Sequence, residues 1–350
     1  MTDFFSGMAT VAGLELRQRV RSVAWYVLLA IFAVLLLAVT LLAGMVFSSS
    51  PNQFRGAYSV VVYIVLLLVT LVSPALSGNA INGDRDQATL APVQVTLVST
   101  PQIIAGKFVA AWATGLAFAV VAVPFIGFTS LAGGVPFGAV AASIAVLVVE
   151  IGVIAAFGVA LSGILNRPLF SVVTTYLVVA ALTVGTLIAF GLGGAAVRTE
   201  VVDQHRSYVY DSSGMPTTDP PTCGPWQQTV RETPRFDRVW WMLAANPFVI
   251  LADATPIAFG PEGYPVDTFG QISVAVRSAQ LPPEGSVWDD CDRSGWGQNA
   301  ETPEQVHART VPSWFAGLGI QIVLAGGALV WAGMRTRTPA ARLPRGSRIA

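Results

Sequence analysis

Charged residues are scarce in this sequence. Asp, Glu, Lys and Arg make up 11% of its 350 residues, whereas hydrophobic residues make up 53%. A soluble globular domain carries about 25% charged residues, so the composition excludes an ordinary soluble protein and indicates a membrane protein. Acidic and basic residues are equal in number, at 20 each, and no basic excess points to a nucleic-acid partner.

Residue types that carry catalysis or bind metals are also few. The sequence has two histidines and two cysteines, and neither His205 nor His307 belongs to a metal-ligand spacing or a nucleophile motif. A P-loop requires Gly-Lys-Ser/Thr, whereas Gly106-Lys107 is followed by Phe108. We therefore expect that the chain is not an enzyme and binds no ATP or other cofactor itself.

Long apolar runs occupy most of the chain. Six of them reach the length of about 18 residues or more that a transmembrane helix needs. They cover residues 24–47, 57–76, 108–132, 138–165, 169–197 and 314–334. The first run is too long for a removable signal peptide. The sequence therefore predicts an all-α integral membrane protein with six transmembrane helices.

Basic residues in the short flanks predict the orientation, because Lys and Arg are retained on the cytoplasmic side. One set of flanks carries Arg17, Arg19, Arg21, Arg85, Lys107, Arg167, Arg335, Arg337, Arg342, Arg345 and Arg348, and the opposite short flanks carry only Arg55. We expect a multi-pass protein of the cytoplasmic (plasma) membrane with both termini in the cytoplasm.

This orientation divides the chain into five parts. We expect a cytoplasmic amphipathic entry helix within residues 1–23 and transmembrane helices 1–5 within 24–195, with a cytoplasmic segment at 80–107. An extracytoplasmic loop domain would cover 196–312, a sixth transmembrane helix 313–334, and a basic cytoplasmic tail 335–350. In the entry helix, Arg17 and Arg21 lie four residues apart and can meet lipid headgroups. The alternative is an ordinary basic flank.

The segment 196–312 contains 15 acidic and 8 basic residues and both cysteines, Cys223 and Cys291. In an oxidising compartment a disulfide would close a loop of about 70 residues and contribute about 4 kcal/mol by the chain-entropy model. Two free thiols are the alternative. The apolar stretch at 238–253 is too short to span a membrane, and Asn246-Pro247 interrupts it, so we predict an interfacial or re-entrant hairpin; the alternative is the core of a small outer domain.

Residues 290–301, DCDRSGWGQNAE, have the oxygen-ligand spacing of a calcium loop. Asp290, Asp292, Ser294 and Glu301 would be its side-chain ligands. No helix is predicted to enter the loop, because Pro282-Pro283 precede it. A solvated acidic loop is therefore favoured over a metal site.

Glu150 is the one ionisable residue deep inside an apolar run. It lies about 18 Å from the start of the fourth run, at ~1.5 Å for each of about twelve residues. Three hypotheses follow for an intramembrane carboxylate: a hydrogen bond to a neighbouring helix, the lining of a translocation path, or proton coupling.

The segment 80–107, AINGDRDQATLAPVQVTLVSTPQIIAGK, interrupts the apolar pattern between the second and third runs. Residues 88–98 can form a short interfacial helix, Pro101 suits a turn or the start of the next helix, and Lys107 is expected to anchor the third span at the headgroups. A simple connecting loop is the alternative.

Three short motifs in this segment carry a resemblance to ABC type-2 transporter permeases. They are Asp84-Arg85-Asp86-Gln87-Ala88-Thr89-Leu90, then Ser99-Thr100-Pro101, then Gly106-Lys107. The order resembles that family's acidic residues, Gly-Thr-Leu, Thr-Pro and Gly-Lys between its second and third spans. Ala88 replaces the usual Gly, and residues 91–94 add about one helical turn.

The resemblance implies a membrane subunit that pairs with a second permease, identical or related, and docks cytoplasmic P-loop ATPase subunits. ATP and magnesium would bind those ATPase subunits, and the subunit would export an amphipathic or lipid-linked substrate such as a drug, a lipid or a glycan. The implied ATPase-coupling residues are Asp84, Arg85, Asp86, Thr89, Leu90, Thr100 and Pro101, together with Arg17 and Arg21 of the entry helix. Alternatives are a membrane subunit that regulates or assembles envelope machinery, a proton-coupled transporter that uses Glu150, and a membrane enzyme.

Overall fold

The computed structural model describes residues 2–47, 53–86, 99–210, 213–215, 217–218, 221–292 and 301–336. Within these residues, six helices are long and apolar enough to cross a membrane. They are Val23–Val46, Phe54–Arg85, Thr100–Ala132, Phe137–Ile164, Pro168–Ala196 and Trp314–Thr336, here called spans 1 to 6. The prediction of an all-α integral membrane protein with six spans is confirmed.

The helices of the first two thirds of the chain follow one another with short connections. They are α1 Thr2–Val20, α2 Val23–Val46, α3 Gln53–Ser77, α4 Asn82–Asp86, α5 Thr100–Ala132, α6 Phe137–Ile164, α7 Pro168–Ala180 and α8 Thr186–Ala196. A π-helical turn, Ala181–Gly185, joins α7 to α8 inside span 5. The helix α1 begins at Thr2 and ends at Val20, inside the region 1–23 in which the entry helix is expected.

Residues 197–313, here called the long segment, contain a small sheet that the sequence pattern did not indicate. Its strands are β1 Arg198–Arg206, β2 Gln227–Pro234 and β3 Val287–Asp289, in the order β2-β1-β3. β1 pairs with β2 in antiparallel and with β3 in parallel orientation. The helices are α9 Trp241–Ala244, α10 Pro247–Ala254, α11 Thr268–Ser278 and α12 Pro303–Arg309, and α13 Trp314–Thr336 forms span 6.

Span 4 lies at the centre of the bundle. Its helix α6 packs against spans 2, 3, 5 and 6 and against α10, and Leu147 and Ile151 are buried in the main core with Phe118 of span 3. Spans 1 and 5 lie at the periphery, where most of their apolar side chains are exposed. In a membrane these exposed faces can meet lipid, because a helix satisfies its own backbone hydrogen bonds.

The stretch at 238–253 folds as a broken helix whose break lies at the predicted position. Asn246 caps α10 by accepting a hydrogen bond from Phe248 N (2.9 Å), and its Nδ2 donates to Thr183 O of span 5 (2.7 Å). On the other side, Gly317 of span 6 allows close approach, since an added Cβ would lie 1.6 Å from Ala244 O. The break is therefore held between spans 5 and 6.

Asp253 joins this broken helix to α11 and to the start of span 6. Its buried carboxylate accepts hydrogen bonds from Ser273 Oγ (2.7 Å) and Arg277 Nε (2.6 Å). It also accepts from the backbone N–H groups of Ser313 (2.5 Å) and Trp314 (3.1 Å) at the start of α13. An acidic group at a helix N-terminus is also favoured by the helix dipole. Asp253 thus fixes the position of span 6 relative to the long segment.

The predicted disulfide is confirmed. Cys223 and Cys291 are bonded, with 6.1 Å between their Cα atoms. The bond connects the chain between β1 and β2 to the residues that follow β3, where Arg206 pairs with Asp289. The disulfide therefore links the β1–β2 connection to the chain after β3.

Replacing Asp253→Asn should strongly destabilise the protein, because it leaves the buried guanidinium of Arg277 without a carboxylate. We expect the free energy of unfolding to fall by about 3 kcal/mol, as for other buried pairs that lose one partner. Thermal unfolding of the purified protein in detergent measures this effect. Glu232→Gln is the control, since its pair with Arg198 is exposed and should contribute less than about 1 kcal/mol. Equal melting temperatures for both variants would contradict the assigned role.

The same carboxylate should make stability sensitive to acid. Burial alone raises the pKa of Asp253, but the hydrogen bonds from Ser273, Arg277 and Ser313 outweigh it and hold the pKa below its ordinary value of 3.8. A lowered pKa stabilises the folded state above the unfolded pKa, and that contribution is lost as pH falls through the folded pKa. Acidification below pH 3.8 should therefore lower the melting temperature more in the wild type than in Asp253→Asn.

Candidate functional site

The entry helix α1 packs along the beginning of α5 in span 3. Gly106 makes this contact possible, because an added Cβ would lie 2.7 Å from Val11 Cβ and 2.8 Å from Met8 O. Gln102 Nε2 also donates to Phe4 O (3.3 Å). Arg17 is exposed on the opposite side. The end of the bundle formed by α1, α4 and the start of α5 is here called the α1 end.

Lys107 lies at the centre of this end and is buried. Its ammonium contacts the carboxylates of Glu15 in α1 and Asp84 in α4, the latter at 2.8 Å, and its side chain is 3% exposed. The prediction that Lys107 anchors span 3 at the headgroups is therefore wrong. Two nearby carboxylates compensate the cost of desolvating the ammonium better than a distant headgroup would. These three residues are here called the Lys107 cluster.

Two arginines at the α1 end bind backbone carbonyls at helix C-termini. Arg85 donates to Gly163 O (3.0 Å) and Leu165 O (3.2 Å), at the end of span 4. Arg19 donates to Leu76 O (2.8 Å), near the end of α3. Cations are favoured at helix C-termini, where the last carbonyls lack intrahelical donors. Arg19 thus connects α1 to α3, and Arg85 connects α4 to the end of span 4.

The predicted coupling residues that the structure describes lie on both sides of residues 87–98. α4 ends at Asp86, and α5 begins at Thr100 with Pro101 in its first turn. The Ser99 backbone N–H donates to Gln102 Oε1 (2.6 Å) and caps this start. Thr89, Leu90 and the predicted helix at 88–98 lie outside the described residues, as does the side chain of Asp86. The Lys107 cluster therefore connects the two ends of this segment to α1.

Glu150 is fully buried at the centre of span 4. Neither of its carboxylate oxygens has a hydrogen-bond partner within the described part of the chain. Gln321 of span 6 lies beside it, and Gln321 Nε2 donates to Ala245 O (2.9 Å). Glu150 thus faces a side chain that contacts the broken helix, and its own side chain is buried in this conformation.

The acidic loop is only partly described. Asp290 accepts hydrogen bonds from His205 Nε2 (3.2 Å) and Trp288 Nε1 (2.5 Å), and Glu301 pairs with Arg309 (2.7 Å). Ser294 lies outside the described residues. The ranges that the structure covers contain no group of three or more His, Cys, Asp or Glu side chains able to hold a metal ion. The preference for a solvated acidic loop over a calcium loop stays a prediction.

Sequence reasoning missed Glu15, Arg19 and Gln321. A signal was present for Glu15, since it is the one acidic residue among residues 8–23, and Lys107 is the one lysine of the chain. Nothing in sequence spacing relates Gln321 to Glu150, which lie in different spans. Only the packing of span 6 on span 4 brings them together.

One comparison with known proteins is informative. The sequence model of a family described as ABC-2 family transporter protein matches residues 9–232. The match covers more than half of the chain and runs from α1 into β2. It includes the Lys107 cluster and Glu150, and it ends before the broken helix and span 6. No curated protein matches the sequence significantly.

Removing the ammonium of the cluster should destabilise the α1 end. In Lys107→Met the carboxylates of Glu15 and Asp84 remain close together without a cation, so we expect a loss of about 3 kcal/mol in unfolding free energy. Lys107→Arg retains the charge and should lose less. Thermal unfolding in detergent measures both, and a Lys107→Met variant as stable as the wild type would show that the cluster contributes no stability.

A side chain at Gly106 should separate α1 from span 3. Gly106→Val places atoms against the Met8 backbone and Val11, so we expect α1 to become accessible to limited proteolysis. Gly127→Val is a matched control on the same helix, because an added Cβ there meets nothing within 4 Å. Equal cleavage rates in the two variants would contradict this packing.

Proposed function

This chain belongs to the ABC-2 family of transporter proteins, and we propose that it is the transmembrane permease subunit of an ATP-driven exporter. In this proposal a separate P-loop ATPase docks at the α1 end. The chain has no catalytic role, and ATP and magnesium bind the ATPase subunits. A second permease subunit, identical or related, completes the assembly.

The Lys107 cluster is the observation that carries the proposal. It joins three parts of the chain that a docked ATPase would move together: the entry helix through Glu15, the start of the coupling segment through Asp84, and span 3 through Lys107. Arg85 extends the connection to the end of span 4, the central helix of the bundle. A displacement of Asp84 and Arg85 would therefore reach spans 3 and 4 through these direct contacts.

The proposed orientation places the α1 end in the cytoplasm. Arg17 and Arg21 are exposed there, as the retention of basic residues on the cytoplasmic side favours. The long segment then lies outside the plasma membrane, where an oxidising environment suits its disulfide. Asp84, Arg85, Asp86, Thr89, Leu90, Thr100 and Pro101 are the proposed coupling residues.

An amphipathic or lipid-linked substrate fits the apolar character of the spans best. Glu150 is the one acidic residue deep within them, and it is buried against span 6. Export rather than import agrees with the resemblance to exporting permeases. A subunit that couples an ATPase to envelope machinery without transport would use the same α1 end, and transport measurements decide between the two.

Docking can be tested separately from coupling. We expect a P-loop ATPase to co-purify with the tagged protein from its native membrane, and the double substitution Arg17→Glu/Arg21→Glu to abolish this association, because it reverses exposed charges without touching the cluster. Arg198→Glu, exposed in β1, should retain the ATPase. Quantitative mass spectrometry of the purified complexes measures the ratio. Retention of the ATPase in the double variant would place the docking surface elsewhere.

In the variant Asp84→Asn, we expect the ATPase to stay docked while the coupling of ATP hydrolysis to transport is weakened. This variant weakens one contact of Lys107 and retains Glu15, so we expect an assembled complex that still hydrolyses ATP but transports less per ATP consumed. Vesicle transport assays with parallel ATPase measurements give this ratio. An unchanged ratio would remove Asp84 from the coupling path.

Glu150→Gln distinguishes the proposed transporter from a proton-coupled one. The amide retains the shape of the side chain and can hydrogen-bond to Gln321, so ATP-driven transport should persist with an unchanged dependence on pH. Complete loss of transport in a protein of normal stability, or uptake driven by a pH gradient without ATP, would instead support proton coupling through Glu150.

A further inference from the structure

The imidazole of His307 packs inside the long segment, between α12 and the loop that precedes α11. Its ring contacts that of Phe259, with 5.7 Å between the two ring centroids. Nε2 is buried and has no hydrogen-bond partner within the ranges that the structure describes. A neutral imidazole donates from one nitrogen, whereas the protonated ring donates from both. The packed position therefore suits the neutral ring, because a protonated Nε2 would be buried without an acceptor.

Two charged groups act on this imidazole. Arg277 of α11 lies beside it, since Arg277 Nη1 donates to His307 O (3.4 Å), and Arg277 Nε donates to Asp253 of α10 (2.6 Å). Burial lowers the pKa of His307 below its ordinary value of 6.5, and Arg277 lowers it further, whereas Asp253 acts in the opposite direction. Other charged residues on α12 and the adjacent loops are exposed: Glu262, Glu301, Glu304 and Arg309. A proton on His307 would thus place a second cation beside Arg277.

The helix α12 is connected directly to the start of span 6. It packs on α11, and the residues that follow it are held there as well. Gln280 Nε2 donates to Val311 O (2.9 Å), and Val311 N donates to Gln280 Oε1 (3.1 Å). Ser313 N then donates to Asp253 (2.5 Å). A displacement of α12 from α11 would therefore act on the residues that fix the first turn of span 6.

We propose that His307 is a proton-binding site that controls the packing of α12 on α11. In the packed state, burial and the charge of Arg277 oppose protonation of the ring. The ring takes up a proton when α12 moves away and the imidazole reaches water. Acid therefore favours the displaced state of α12, in which the start of span 6 loses part of its support. The proposal does not require an ATPase partner or a direction of transport.

The sign and size of this response follow from the two states of the ring. The pKa of His307 is lower in the packed state than the 6.5 of an unperturbed imidazole, so this contribution to packing is present above pH 6.5 and is lost as pH falls below it. At about pH 5, a displaced ring with a pKa of about 6.5 is protonated about thirty times as often as it is neutral. The population of the displaced state can therefore rise by up to about thirtyfold.

Two buried carboxylates around α11 do not produce such a response. Although burial opposes them, hydrogen bonds hold the pKa of Asp253 below 3.8, so Asp253 stays ionised at about pH 5. Asp267 caps the start of α11, and burial raises its pKa above 3.8. A raised carboxyl pKa stabilises the folded state at low pH, and that contribution is lost as pH rises. Asp267 therefore acts in the opposite sense to His307.

Hydrogen exchange of the purified full-length protein in detergent tests the proposal. Exchange of the backbone amides in residues 304–314 is measured by mass spectrometry at about pH 8 and about pH 5, the interval in which histidine titrates. Two neutral variants, His307→Met and His307→Gln, are measured at the same pH values, so that the intrinsic exchange rate cancels. We expect the ratio of the wild-type rate to the rate of each variant to rise by up to about thirtyfold between the two pH values. An unchanged ratio for every neutral variant that elutes as the wild type does would overturn the proposal.

The other histidine of the chain provides the matched control. His205 is exposed in β1 and pairs with Asp290, so His205→Met should retain the full acid response of residues 304–314. If His205→Met abolished that response while His307→Met retained it, the proton would bind at the small sheet and the assignment to His307 would be wrong.

A fixed positive charge provides the second arm. His307→Lys is charged at about pH 8 and has a side chain close in length to that of His307→Met. We expect faster exchange of residues 304–314 in His307→Lys than in His307→Met at this pH. Equal rates in these two variants would contradict a role for charge at this position. Because the measurements need no nucleotide, failure of the ATP-driven proposal would leave their interpretation intact.

Discussion

A polar group buried in this bundle needs a buried hydrogen-bonding or ionic partner, and much of the architecture follows from that constraint. A membrane offers no water to exchange hydrogen bonds with, so an unpaired charge costs several kcal/mol. The one lysine is surrounded by two carboxylates from different helices. Asp253 receives hydrogen bonds from two separate parts of the chain, α11 and the start of span 6. Each of these groups fixes the relative position of elements that apolar packing alone would leave free to slide.

These polar contacts lie at opposite ends of the helix bundle. At the α1 end, arginines bind carbonyls near the ends of α3 and span 4, whereas at the other end Asp253 binds the first amides of span 6. The dipoles of the helices favour both arrangements. Between the two ends, span 4 contacts nearly every other span and contains Glu150, whose neighbour Gln321 also contacts the broken helix. The centre of the bundle is therefore connected to the long segment through span 6.

Sequence reasoning predicted the parts of this structure that depend on local chemistry. Run length identified the six spans, Asn246-Pro247 located the break in the short apolar stretch, and paired cysteines in one segment identified the disulfide. It missed contacts between distant residues, because no periodicity relates Glu15 to Lys107 or Gln321 to Glu150. The sequence pattern did not predict the small sheet. Because β2 is exposed along most of its length, it lacks the alternation of apolar and polar residues by which a half-buried strand is recognised.

The burial of Lys107 has a consequence for chemical modification. It is the one lysine in 350 residues, and at 3% exposure its ammonium is inaccessible to amine-reactive reagents in the folded state. Acylation of this side chain therefore requires that α1 or α4 first move away from span 3. The protein thus contains a built-in chemical reporter, in which the rate of lysine acylation measures how often the α1 end opens.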